Sequence, residues 1–143
     1  MVTPKNEDRT MQNQSTALAA AGRLLIAVLF LVGGVGKIAA PAATQGYIAS
    51  VGLPAPLFGY LIAIIVEVGG GFLLLVGYQT RLVALVLAAF TVATALAFHN
   101  NFADQNQMIH FMKNLAITGG LLQVATFGAG SLSFDSRRLS LAH

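Results

Sequence analysis

Four apolar stretches separated by short polar ones set the hydrophobic pattern of this 143-residue chain. They cover about 17–40, 57–78, 82–98 and 109–129. Each is roughly 17–24 residues long, the length a helix needs to cross ~30 Å of hydrocarbon. Backbone groups in lipid must be paired within their own segment, so helices are predicted rather than strands. The pattern therefore predicts an all-α integral membrane protein, a four-helix bundle with antiparallel up-down spans. Residues 1–16 (MVTPKNEDRTMQNQST) read as a disordered tail, 17–130 as the membrane domain and 131–143 as a second polar tail.

The breaks between the segments agree with this division. Pro41, Pro54 and Pro56 bracket the first connection, where proline suits a helix start or a break. Only Gly77-Tyr78-Gln79-Thr80-Arg81 separates the second and third segments. Gly77 suits a C-terminal cap and Thr80 an N-cap, which predicts a tight helical hairpin. The third connection, His99 to Met108, is polar (HNNFADQNQM). Leu24 to Gly36 followed by KIAAPAA also has the look of a cleavable signal sequence. The long polar segment before it, and the basic residues Arg23 and Lys37 set close together, argue against cleavage.

Composition and charge narrow the class. The chain is 56% hydrophobic and only 9% charged, against about 25% charged in soluble domains. It has no cysteine, which excludes disulfides, thiol nucleophiles and thiolate-held metal or Fe–S sites from its own chemistry. The net charge is +3, but the basic residues are scattered and do not alternate with aromatics, so no nucleic acid partner is expected. With four spans, Lys5, Arg9, Arg23, Arg81, Arg137 and Arg138 share one side and only Lys37 and Lys113 lie on the other. The positive-inside rule then puts both termini in the cytoplasm.

Several polar residues stand out within or at the ends of the apolar segments. Glu67 lies in IIVEVGGGFLLLVG, with Ala63 four residues before it and Gly70 and Gly71 three and four after. Lys37 has Gly33 and Gly34 on its own face, and Lys113 is followed by Ala116, Ile117 and Gly120. Small residues mark faces where membrane helices approach closely, so these side chains are expected to point into the bundle. Glu67 falls ~15 Å inside its span at the helical rise, with the lysines ~5–10 Å nearer the external side. Long lysine stems close much of that gap. Inserting one central acid costs about 2.5–3.5 kcal/mol, and the Leu, Ile, Val and Phe residues of the span return about 4–8 kcal/mol. Pairing is therefore inferred from the small faces and the nearby cations, not from necessity. Glu67, Lys37 and Lys113 form the candidate buried polar cluster, and Arg23, His99 and Asn114 are secondary binding candidates. The alternative is a structural one, in which Glu67 acts as packing glue or is protonated. His99 and His110 have metal-ligating chemistry, but no spacing around them is diagnostic and no metal is expected. The glycine runs lie inside apolar helices and are not phosphate loops.

The ordered set of short motifs resembles the DoxX family. It comprises Arg23-Leu-Leu, Gly33-Gly-Val-Gly-Lys37, GLP at Gly52, Glu67-Val-Gly-Gly, Gly77-x-x-Thr80-Arg81, Phe98-His99 and HFMKNLAITGGLL from His110. The resemblance spans roughly 17–136. It implies a four-helix protein of the bacterial inner membrane, and the family takes its name from a subunit of a quinone-linked oxidation. It places the family's polar positions on Arg23, Lys37, Glu67, Arg81, His99, Lys113 and Asn114. It also implies a non-autonomous subunit of a membrane redox system, with a quinone as the cofactor class and a soluble or membrane redox partner. Two other functions fit the residues: a small proton-coupled transporter, which would need to be a homo-oligomer, and a non-catalytic scaffold or stress protein of the bilayer.

Overall fold

The computed structural model describes residues 4–142 and, among them, contains helices and no strand. The elements are α1 (Pro4–Ala39), α2 (Pro41–Ser50), α3 (Pro56–Ile64), a π-helical turn (Ile65–Gly70), α4 (Gly71–Val76), α5 (Thr80–Phe98), α6 (Gln105–Phe127) and α7 (Phe134–Leu141). α3, the π turn and α4 form one unbroken rod. Three helices are long and apolar enough to cross a membrane: Lys5–Ala39, Pro56–Val76 and Thr80–Phe98. α6 has 23 residues and so spans about 34 Å, but its first half carries Gln105, Asn106, Gln107, His110, Lys113 and Asn114. It lies along α5 as the partner of a helical hairpin.

One expectation is corrected at the N-terminus. The segment read as a disordered tail is helical from Pro4 onward and continuous with the first span. Pro4 opens the helix, Glu7 sits in its first turn, and residues 5–21 contain no glycine or further proline. The apolar part of α1 supplies the costly nucleus, so each polar residue added to it needs only propagation. A second correction concerns the hairpin at Gly77. Gly77 does cap α4, at φ 71°, with Tyr78 N–H donating to Leu73 C=O at 3.0 Å and Gly77 N–H to Leu74 C=O at 3.2 Å. Thr80, however, is the first residue of α5 rather than its cap. The capping oxygens come from Asp135, which accepts from the Gln79 and Thr80 amides at 2.8 Å each.

The core is narrow and mixes alanines with a few larger apolar residues. Ala27, Phe30, Leu74, Val83, Ala84, Leu87, Ala88 and Leu121 pack together, while Leu25, Val32, Ile65, Phe72, Leu82 and Leu96 face outward. An apolar exterior around an interior that includes small residues is the arrangement expected of helices dissolved in lipid. Glycines set the spacing between α1 and the π turn. A Cβ on Gly34 would lie 2.6 Å from Val68 Cγ2 and 3.2 Å from the Val68 nitrogen, and one on Gly71 would meet the Leu31 nitrogen at 3.2 Å.

The π turn coincides with the sequence IVEVGG. A π turn adds one residue to a helical turn and rotates the residues beyond it by about 100° relative to a regular helix. Here it lets Glu67 face α1 while Gly70 meets Leu87 of α5 and Gly71 meets α1. Gly34→Ala is expected to destabilise the protein by about 1–3 kcal/mol through overpacking. Gly36→Ala, which would enter open space, is expected to leave stability unchanged or slightly raised. Thermal melting of both variants in one detergent checks this pair.

Candidate functional site

Glu67 is buried within the rod formed by α3, the π turn and α4. Its carboxylate accepts two hydrogen bonds from Lys37 Nζ on α1, at 3.0 Å to Oε1 and 2.8 Å to Oε2. The lysine reaches across because Gly33 and Gly34 leave no side chain in the way. A Cβ on Gly33 would already lie 3.6 Å from Glu67 Oε2. The Glu67 side chain is 12% exposed and that of Lys37 31%, so the pair sits at the inner end of a path to the surface. In a low-dielectric setting a doubly bonded ammonium–carboxylate pair offsets much of the desolvation cost of each partner.

Glu67 lines a cavity of about 310 Å³ that Lys37 does not reach. Glu67, Thr91, Thr94, Lys113 and Asn114 give it polar groups, and Leu29, Phe30, Val32, Phe90 and Ile117 form its apolar wall. Thr91 donates its hydroxyl hydrogen to Leu87 C=O at 2.7 Å and Thr94 to Thr91 C=O at 3.0 Å. Both hydroxyl oxygens therefore keep lone pairs available as acceptors.

The structure thus brings together Glu67 and Lys37 as an ion pair and places Lys113 and Asn114 on the same cavity. Lys113 does not bond Glu67: its Nζ lies 3.1 Å from His110 Nδ1, one turn away on α6. His99 ends α5 beyond the cavity. Its Nδ1 is 3.0 Å from Gln107 Oε1, and its ring stacks on that of His110 with centroids 5.0 Å apart. Among the described residues no group of three or more His, Asp or Glu is placed to hold a metal ion.

Arg23 lies at the opposite end of the bundle. It is 4% exposed, and its Nη1 donates to the Leu74 and Leu75 carbonyls at 2.8 Å each. Its Nη2 donates to Leu132 C=O at 2.6 Å. The Leu74 and Leu75 carbonyls lie in the last turn of α4, so a cation is doubly favoured there. The guanidinium is committed to main-chain oxygens and ties α1, α4 and the C-terminal segment together. Sequence reasoning did not find Thr91 and Thr94, although their i, i+3 spacing in the third apolar segment was a usable signal. Asp135 gave no signal, because its partners are reached only through the fold. Burial alone would push the Asp135 carboxyl up. Hydrogen bonds from Thr80 and Gln79, with the nearby charge of Arg138, outweigh this and hold it below the usual carboxylate range.

Lys37→Met removes the cation and leaves the Glu67 carboxylate without its partner. The expected loss is about 3–5 kcal/mol of stability at neutral pH. Adding Glu67→Gln to the same chain is expected to recover a large part of it. Denaturation in detergent of the wild type, both single variants and the double variant measures this coupling.

Comparison with known proteins gives one consistent answer. A family model described as DoxX matches residues 18–100. The chain is 44% identical over 113 residues to inner membrane protein YqjF of Escherichia coli (strain K12), covering 79% of this chain and 85% of that protein. It is 32% identical over 120 residues to inner membrane protein YphA of the same organism, covering 80% of this chain and 86% of that protein. No solved structure matches it significantly. The matched region contains Lys37, Glu67, Thr91 and Thr94, so this chain belongs to the DoxX family of multi-pass bacterial inner membrane proteins.

Proposed function

We propose that the Lys37–Glu67 pair and its cavity form a binding and proton-exchange site for the headgroup of a membrane quinone. In this reading the chain is the membrane subunit of a redox system whose electrons leave through a partner protein. The observation that carries it is the placement of an ion-paired carboxylate on the wall of an open cavity of mixed polar and apolar lining between apolar helices. Intramembrane ionisable groups of this kind mark substrate and proton paths. The size is suitable, since about 310 Å³ lies at the lower end of small-molecule sites and accommodates a ring without its tail. Leu29 and Val32 belong both to the cavity wall and to the exposed face of α1, so a tail can remain in lipid.

The donor set also fits. A quinone presents two carbonyl acceptors, and its reduced form two hydroxyl donors. Lys113 and Asn114 supply donors on α6 for a ring oxygen, and Thr91 and Thr94 supply acceptors on α5. As a bound quinol loses two electrons to the partner protein, Glu67 would accept the first of its two protons and, once that has been passed on, the second. Lys37 stabilises the carboxylate before each proton arrives and is freed to turn outward afterwards. The two-electron chemistry belongs to the quinone itself.

A short-chain ubiquinone or menaquinone analogue, titrated into the protein in nanodiscs, tests this. Saturable binding is expected, weakened about tenfold or more by Asn114→Leu and by Glu67→Gln, as loss of a buried hydrogen bond to a polar or charged group implies. A wild-type protein that binds neither analogue would sink the reading.

We further propose that α6 is the fourth span and that both termini are cytoplasmic. The Lys and Arg distribution supports this orientation. Because the chain has no cysteine, single-cysteine variants report directly on the side. Asn101→Cys should react with an impermeant maleimide in intact spheroplasts, and Ser140→Cys only after lysis; the opposite pattern would reverse the topology.

A further inference from the structure

A second and larger cavity, about 780 Å³, lies at the other end of the bundle and plays no part in the Lys37–Glu67 site. It is an open cleft bordered by the start of α5, the 127–131 turn and α7. Two guanidinium groups, Arg81 and Arg138, line it beside a single carboxylate, Asp135, so its charge is net positive. Both oxygens of Asp135 are already turned to the Gln79 and Thr80 amides. Arg81 packs along the turn: its Nε and Nη2 lie 3.5 and 3.7 Å from where a Gly128 Cβ would be. Gly128 and Gly130 take φ of 82° and 78°, a conformation in which a side chain would be strained. Arg138 lies 5.4 Å from the centroid of the Tyr78 ring, which holds its planar group at the cavity edge.

One further feature of this cavity points to a ligand, its rim. Leu82, Phe127 and Leu139 line the cavity and are also 61%, 76% and 69% exposed. A cationic pocket with an apolar rim, level with the membrane end of the bundle, matches an amphiphile with a phosphate at one end. Bare phosphate would use the arginines and leave the rim without purpose.

We propose that this cavity binds the headgroup of an anionic phospholipid on the side of the membrane where both termini lie. Arg81 and Arg138 hold the phosphate through paired N–H donors, and the acyl chains run out over Leu82 and Phe127. The lipid then joins α5, α6 and α7 at their common end, next to the Arg23 clasp.

The test is retention of lipid by the purified full-length chain, read by native mass spectrometry from mild detergent. Phosphatidylglycerol and phosphatidylcholine are offered in equal amounts, with and without millimolar inorganic phosphate. The wild type is expected to keep phosphatidylglycerol selectively and to hold it in the presence of phosphate. Arg81→Gln combined with Arg138→Gln should reduce retention about tenfold, as loss of charge-assisted hydrogen bonds implies. Lys5→Gln combined with Arg9→Gln, which removes the same charge from the exposed start of α1, should not. Equal retention of the two lipids overturns the proposal, as does unchanged retention in the Arg81, Arg138 variant or equal loss in the Lys5, Arg9 variant. Displacement by inorganic phosphate reassigns the cavity to a free anion and overturns the lipid. Should the Arg81, Arg138 variant fail to fold, the selectivity of the wild type and its resistance to phosphate decide the matter alone.

Discussion

The Lys37–Glu67 pair is the interaction around which the middle of this bundle is arranged. A carboxylate in the interior of a membrane protein is stabilised by a donor that hydrocarbon cannot supply. Lys37 is 30 residues away in sequence and can serve only if α1 and the Glu67 rod come almost into backbone contact. Gly33, Gly34 and Gly71 permit that approach, and the π turn aims the carboxylate at α1. A side chain at Gly34 or Gly71 would press against the facing helix and is expected to lengthen the pair. The glycine runs are therefore part of the electrostatics as well as of the packing.

The far end of the bundle obeys the same constraint by a different route. Helix termini leave carbonyls and amides unpaired, and near the hydrocarbon they must find partners within the chain. Arg23 takes the last carbonyls of α4, and Asp135 takes the amides at the start of α5. One tight turn at Gly77 is thus served by a cation from α1 and an anion from α7. The Asp135 amide in turn donates to Gly77 C=O at 2.9 Å, so the C-terminal segment is bound to the turn from both sides. A Cβ at Gly77 would lie 2.5 Å from Ser133 Cβ and 2.6 Å from Arg23 Nη1, which makes this turn the least forgiving position of that end.

Between these two clasps the helices are held by small-residue packing, and the polar groups are concentrated at one cavity. Glu67, Thr91, Thr94, Lys113 and Asn114 come from three different elements. Leu29 and Val32 of α1 line the cavity's open side and are themselves exposed.

The all-α membrane character, the limits of the apolar segments and the glycine cap at Gly77 came from local pattern, because hydropathy, segment length and turn chemistry act within a few residues. The inward direction of Glu67 and Lys37 was also readable, since small residues at i±3 and i±4 mark a packed face. Which cation meets Glu67 was not. Lys37 and Lys113 were equivalent candidates in sequence, and only the crossing of α1 against the π turn chose Lys37, leaving Lys113 beside His110. The helicity of residues 4–16 escaped local reading because it is propagated from the apolar part of α1. Arg23 and Asp135 gained their partners through contacts more than 50 residues away in sequence. Local chemistry thus set what each segment is, and the close approach of segments set which charges meet.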